Sequence, residues 1–146
     1  LDFGLSIHTK ETQEPLFTGS LRYASRNNHN GKIYTRIDDL ESWIYIVIYF
    51  MKGALPWQNT MNSMTQSNIH KLQKEIGIHK STIPVDDLCK GCPEWIHTVT
   101  KSILHPNATP EYSQYIHEMK KRMKELGTKF DYEYDWTSLP KRVFLR

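Results

Sequence analysis

The sequence predicts a mainly α-helical domain packed around one buried helix. Three observations carry this reading. An apolar run from Trp43 to Met51 lies between an acidic start at Asp38-Asp39 and a stop at Lys52-Gly53. Two later segments bring apolar residues back at three- and four-residue spacing, the signature of an amphipathic helix. Both of those segments open at a proline, which suits a first helical turn because that turn has no use for the missing N–H.

The elements follow in order. Residues 5–34 hold turn formers and hydroxyls with little periodicity, as in Thr9-Lys10-Glu11-Thr12-Gln13-Glu14-Pro15 and Asn27-Asn28-His29-Asn30-Gly31. They read as one long loop, of the length that is usually functional. Thr35-Arg36-Ile37-Asp38 has the form of a capping box, with two acids at the positive end of a helix. Leu40, Trp43, Ile44, Val47, Ile48, Phe50 and Met51 then fill more than one face, so a helix over about 35–52 must be covered on nearly all sides. A strand over residues 44–49 is the competing reading; the length of the run and its acidic start favour the helix. Gly53 and Pro56 supply the stop.

A second helix is expected over about 62–77, through Met64, Ile69, Leu72 and Ile76. A third, over 93–104, carries Trp95, Ile96, Val99, Ile103 and Leu104 on one side. A fourth, over 110–126, sets Tyr112, Tyr115, Ile116, Met119, Met123 and Leu126 in register before Gly127 ends it. The last stretch, 127–146, alternates Phe130, Tyr132, Tyr134 and Trp136 and is expected to pack on the helices as an aromatic extension.

Composition bounds the function. A chain of 146 residues is enough for one domain with a core. Hydrophobic content of 38% and charged content of 24% are ordinary for a soluble protein. The apolar run is too short to span a membrane, and no secretory signal is visible. A cytoplasmic or nuclear location and no membrane partner are therefore expected. Cys89 and Cys92 make half a zinc site at most, since His97 and His105 are too far apart to supply the other half. The pair also precedes a helix, where a redox pair would open one after a strand, so both read as incidental thiols. The formal charge of +3 is densest at Lys120-Lys121-Arg122-Met123-Lys124, inside a helical pattern. That run reads as a solvated helix face without aromatic interleaving, and nucleic acid is not an expected partner.

Leu1-Asp2-Phe3-Gly4 holds the triplet with which a protein kinase places its Mg²⁺-binding carboxylate. A polar loop, a hydroxyl-rich segment, a buried helix led by Asp-Asp and three amphipathic helices follow, an order that resembles the C-terminal lobe of a protein kinase. Phe17-Thr18-Gly19-Ser20-Leu21-Arg22-Tyr23-Ala24-Ser25 is similar to the substrate-facing segment of the casein kinase I family. So are Asp38-Asp39-Leu40-Glu41-Ser42, Leu55-Pro56-Trp57-Gln58, Leu88-Cys89-Lys90-Gly91, Pro110-Glu111-Tyr112 and Phe130-Asp131-Tyr132-Glu133-Tyr134-Asp135-Trp136. These six matches stand in order over the whole chain. Tau-tubulin kinases, in the same group, are the near alternative.

The resemblance implies a partial kinase domain over 1–126, with its metal-binding and activation segment at 1–34. It implies a serine/threonine kinase that moves the γ-phosphoryl of ATP to protein substrates, acidic or phosphorylated ones among them. Asp2 would hold Mg²⁺, with Phe3 and Gly4 shaping the nucleotide side. Ser20 would support the catalytic aspartate, standing where the family has threonine. Arg22 and Gly53 would face the substrate or an anion, and Asp39 would accept hydrogen bonds from the catalytic loop. The general base, the phosphate clamp and the adenine pocket would all come before Leu1. These 146 residues alone are therefore expected to be inactive, to need no cofactor and to fold poorly, as a piece of a longer polypeptide.

Departures from the family support a second reading, a non-catalytic kinase-like interaction module. Met61 stands where the family has an anion-binding lysine, and Trp43-Ile44 replaces Leu-Gly in the buried helix.

Overall fold

The computed structural model describes residues 17–63 and 69–128. The chain divides into two compact units, residues 1–110 and 111–146. In the first, six helices run among the described residues in the order α1 (Arg26–His29), α2 (Arg36–Lys52), α3 (Gln58–Ser63), α4 (Ile69–Thr82), α5 (Val85–Leu88) and α6 (Glu94–Leu104). The second unit carries α7 (Tyr112–Glu125). No strand occurs among the described residues. The mainly helical prediction therefore holds, and Ile44–Tyr49 belongs to a helix.

Local chemistry sets the ends of α2. Asp38 Oδ2 accepts from the Thr35 backbone N–H at 2.7 Å and from the Thr35 hydroxyl at 3.0 Å, inside the capping box the sequence announces. The Thr35 N–H, which the helix start would leave unpaired, is thereby satisfied, and the Thr35 hydroxyl is fixed beside it. At the other end Gly53 adopts φ 73° and donates its N–H to Tyr49 O at 2.8 Å. That left-handed conformation is strained for any residue with a Cβ, which explains the glycine. Lys52 bends over the end of the helix to donate to Leu88 O at 2.9 Å, tying α2 to α5.

The core of the first unit lies between α2 and α6. Leu40, Ile44, Tyr45 and Ile48 meet Ile96, Val99 and Ile103 there, with Trp57, Ile76 and Leu88 closing the ends. Each such aliphatic side chain contributes about 1.5–3 kcal/mol on burial. The expectation that α2 is covered nearly all round is not met. Trp43, Ile46 and Val47 are only half-buried, Met51 is exposed, and Phe50 keeps 79% of its surface in solvent. One face of α2 is sealed by α6 and by the segment before α2; the other meets fewer neighbours.

Three further differences have local causes. Pro93 is the N-cap of α6 and not its first helical residue, one position from the expected place, with Pro84 in the same role at α5. Helix α4 does not stop at Gly77 but continues to Thr82, and the missing side chain at 77 is what lets His29 pack against it. Residues 17–34 are not simply a loop: they contain α1 and a dense set of side-chain bonds. In the second unit Tyr115 is buried, while Tyr112, Ile116, Met119 and Leu126 of the expected stripe are exposed. The expected positions of Met64 and of the aromatic tail from Phe130 to Trp136 lie outside the described residues.

Candidate functional site

The segment from Thr18 to His29 is held by its own polar side chains. Asn28 accepts from the Thr18 N–H at 3.2 Å and donates to Thr18 O at 2.6 Å, a two-point amide clasp across ten residues. Ser25 caps α1 by accepting from the Asn28 N–H at 3.1 Å. Ser20 begins a tight turn: its carbonyl accepts from Tyr23 and Ala24, and its hydroxyl accepts from the Arg22 N–H at 3.3 Å. The serine is otherwise exposed.

From below, two buried side chains take hold of this turn. Trp57 Nε1–H donates to Arg22 O at 2.8 Å. Lys80, only 2% exposed, donates from Nζ to Leu21 O at 3.0 Å and to Ala24 O at 2.6 Å. Its third proton points to His29 Nε2 at 3.1 Å. An ammonium has three donors, and these three acceptors use them all.

That count settles the imidazole. His29 Nδ1 lies 2.9 Å from Gln73 O, which can only accept, so Nδ1 carries the proton and Nε2 offers its lone pair to Lys80. The 3.3 Å approach of Nε2 to Leu21 O is then a contact between two acceptors that share the same ammonium. Burial first, and the Lys80 charge second, lower the His29 pKa to about 4, which keeps the ring neutral as the bonding requires.

Lys80 is a buried amine with little water around it. Burial lowers its pKa to about 7, while the Glu41 carboxylate opposes the shift. The Tyr45 and Trp57 rings offer their faces at 5.0 and 4.8 Å, a further stabilisation of the charged form. Tyr45 and Trp57 themselves meet edge to face at 4.9 Å. Glu41 Oε1 gathers three donors, the Arg26 N–H at 2.7 Å, Arg26 Nε at 3.1 Å and the Tyr45 hydroxyl at 2.8 Å. Arg26 Nη2 continues to Leu104 O at 3.1 Å, so α1, α2 and α6 share one charged junction. This polar core is what the sequence reading missed. Apart from the Tyr45–Glu41 pair, four residues apart on α2, its bonds join residues 15 to 78 positions apart, and no local pattern signals them.

The expected site residues fare differently. Arg22 projects from the turn with its guanidinium 5.8 Å from the Tyr23 ring and 5.4 Å from the Tyr49 ring. Its Nε is buried with no hydrogen-bond partner among the described residues. A guanidinium stacked on rings keeps its edge donors for an anion, since π faces stabilise the charge without using an N–H. Ser20 lies two residues away on the same turn. Gly53 caps α2, and a Cβ there would meet nothing within 4 Å, so its requirement is backbone conformation and not room for a ligand. Of the two acids, Asp38 does the capping and is buried, whereas Asp39 faces solvent. Loss of hydration and then the neighbouring Asp38 raise the Asp39 carboxyl above the usual range. Asp2, Phe3 and Gly4 lie outside the described residues.

Cys89 and Cys92 are free thiols. Burial raises both, and Cys89 donates to the Thr100 hydroxyl at 3.4 Å inside the core. No group of three or more potential metal ligands occurs among the described residues. No helix there is long and apolar enough to cross a membrane. A scan of protein-family models finds none that matches the chain.

Proposed function

We propose that these residues are part of a casein kinase I-like serine/threonine kinase, and that the turn over residues 20–25 is its substrate-facing segment. The observation that carries this is the anchoring of that turn. Its carbonyls at Leu21, Arg22 and Ala24 are taken from beneath by Lys80 and Trp57, while Ser20 stands exposed above them. A peptide substrate needs such a surface: a backbone that does not move, with donors left at its edge. The half-covered face of α2 suits a lobe against which further chain packs.

In this reading ATP gives its γ-phosphoryl group to a serine or threonine hydroxyl of a protein. The P–O bond to ADP breaks as the new ester bond forms, and an aspartate of the catalytic loop takes the hydroxyl proton. Asp2 would hold Mg²⁺, which offsets phosphate charge when bound. Arg22 orients an acidic or phosphorylated substrate by its guanidinium edge. Asp39 supports the catalytic loop.

The test is a chimaera in which the nucleotide-binding lobe and catalytic loop of a casein kinase I precede residues 1–146. ATP-dependent labelling of an acidic serine peptide is expected, lost in Asp2→Asn and weakened at the KM level in Arg22→Ala. A soluble chimaera that binds ATP and transfers nothing would favour the non-catalytic interaction module. The replacement of the family's lysine by Met61 is the observation behind that second reading.

A further inference from the structure

A cavity of about 330 Å³ opens between α1, α2 and the turn after α6. It is separate from the Arg22 turn, and the kinase reading assigns it nothing. At about 30 Å³ per water molecule it has the volume of roughly ten waters. Its polar lining comes from Arg26, Asn27, Asn30, Lys32, Glu41 and His105, with Ser81 of α4. Ile37, Ile103 and Pro106 supply apolar wall.

The lining is rich in donors. Two of the five guanidinium N–H groups of Arg26 are engaged by described residues, Nε–H with Glu41 and one Nη2–H with Leu104 O. The others remain for a further acceptor. Lys32 is exposed and pairs with no carboxylate among the described residues. His105 Nδ1 accepts the Asn107 N–H at 3.2 Å, so the ring proton sits on Nε2 and the free edge of the imidazole donates. The side-chain amides of Asn27 and Asn30 add donors on the α1 side.

Glu41 is the one carboxylate in the wall, and its charge is already answered. Its Oε1 accepts three hydrogen bonds, Arg26 pairs with it at 3.1 Å, and buried Lys80 acts on it electrostatically from the core side. With Arg26 paired to Glu41, the lining keeps one net positive charge, that of Lys32. Its partial enclosure screens that charge less than open surface would.

We infer that this cavity is a binding site for a phosphoryl group, held by the Arg26 guanidinium, the Lys32 ammonium and the His105 Nε2–H. A tetrahedral phosphoryl group can accept from each of these donors, and the guanidinium edge left by the Glu41 pair suits its oxygens. The room beyond one phosphoryl group admits the first atoms of an ester. The chemistry is common to free phosphate and to a phosphorylated side chain, and the experiment separates them.

The ¹⁵N-labelled full chain is titrated with inorganic phosphate, with a phosphoserine tripeptide and with the same tripeptide unphosphorylated. Saturable shifts at residues 26–32 and 105–108 are expected with the first two and not with the third. A tighter phosphopeptide than phosphate assigns the site to an ester; equal affinity assigns it to the free anion. Lys32→Gln and His105→Ala are both at exposed positions, so the fold should survive in each. Each is expected to weaken binding at least fivefold, and raising the salt should weaken the parent. The inference fails if the phosphate probes shift nothing in these segments at millimolar concentration. It fails equally if they map to residues 120–124, or if both folded variants bind as the parent does.

Discussion

Along α2, Glu41, Tyr45 and Ile48 are sealed, whereas Phe50 and Met51, less than two turns on, meet solvent. The sealed face contains a carboxylate and a buried phenol and touches a buried ammonium; the open face is apolar. Hydropathy alone would have placed them the other way round. What decides the matter is whether each polar group finds partners. Lys80 has its three donors engaged and Glu41 Oε1 accepts three bonds, which offsets part of a desolvation cost that still pulls Lys80 down to about 7. Phe50 has no comparable set of neighbours.

This contrast can be broken most directly at Lys80. Lys80→Met keeps the length of the side chain but leaves Leu21 O, Ala24 O and His29 Nε2 without their donor. We expect a loss of about 2–5 kcal/mol in urea unfolding, from the three buried acceptors left unsatisfied. A loss below about 1 kcal/mol would mean that the junction is ornamental and hydrophobic burial alone seals this face.

The pH dependence sharpens the same point. Folding lowers Lys80 to about 7 from an unfolded value of about 10.4. Between those values the unfolded chain binds more protons, so stability rises with pH from about 7 to about 10. Folding also lowers His29 to about 4, so stability rises in the same direction between about 4 and 6.5. Urea midpoints should therefore increase from pH 5 to pH 9, and Lys80→Met should flatten the upper part of that rise. A midpoint that falls between pH 7 and pH 9 would contradict the assignment.

Gly77→Ala probes the packing beside the junction. A Cβ there would lie 2.7 Å from His29 Cβ and 3.3 Å from Cγ, both close to the backbone of α1 and unable to swing away. The expected loss is about 1–3 kcal/mol by thermal melt. On the open face, Phe50→Ser should change stability by no more than about 0.5 kcal/mol while reducing the binding of a hydrophobic dye. A loss of several kcal/mol there would show that the two faces differ less than their exposure suggests.

How much of this was legible depended on distance along the chain. The Thr35–Asp38 box, the Gly53 stop and the register of α6 are local, and the sequence displays them. Helices α1 and α5 span four residues each and leave no period to detect. Residues 17–34 resemble a loop because their order comes from Gln73 and Lys80, 44 to 59 residues away. The candidate site was half legible. Resemblance singles out Arg22 and Ser20 as candidates, whereas the lysine beneath them sits at an unremarkable place in His79-Lys80-Ser81. An isolated lysine on a helix normally signals water, and only three carbonyl and imidazole acceptors at hydrogen-bond distance reveal otherwise.

The contact between Gly77 and His29 bears on how this chain can diverge. Lys80 needs the imidazole lone pair, the imidazole needs Gln73 O, and the ring fits only because residue 77 lacks a side chain. A single replacement at 29, 77 or 80 strands the other two. Descendants of this sequence should therefore exchange these positions as a bloc or leave them alone, even while the surface around them drifts freely.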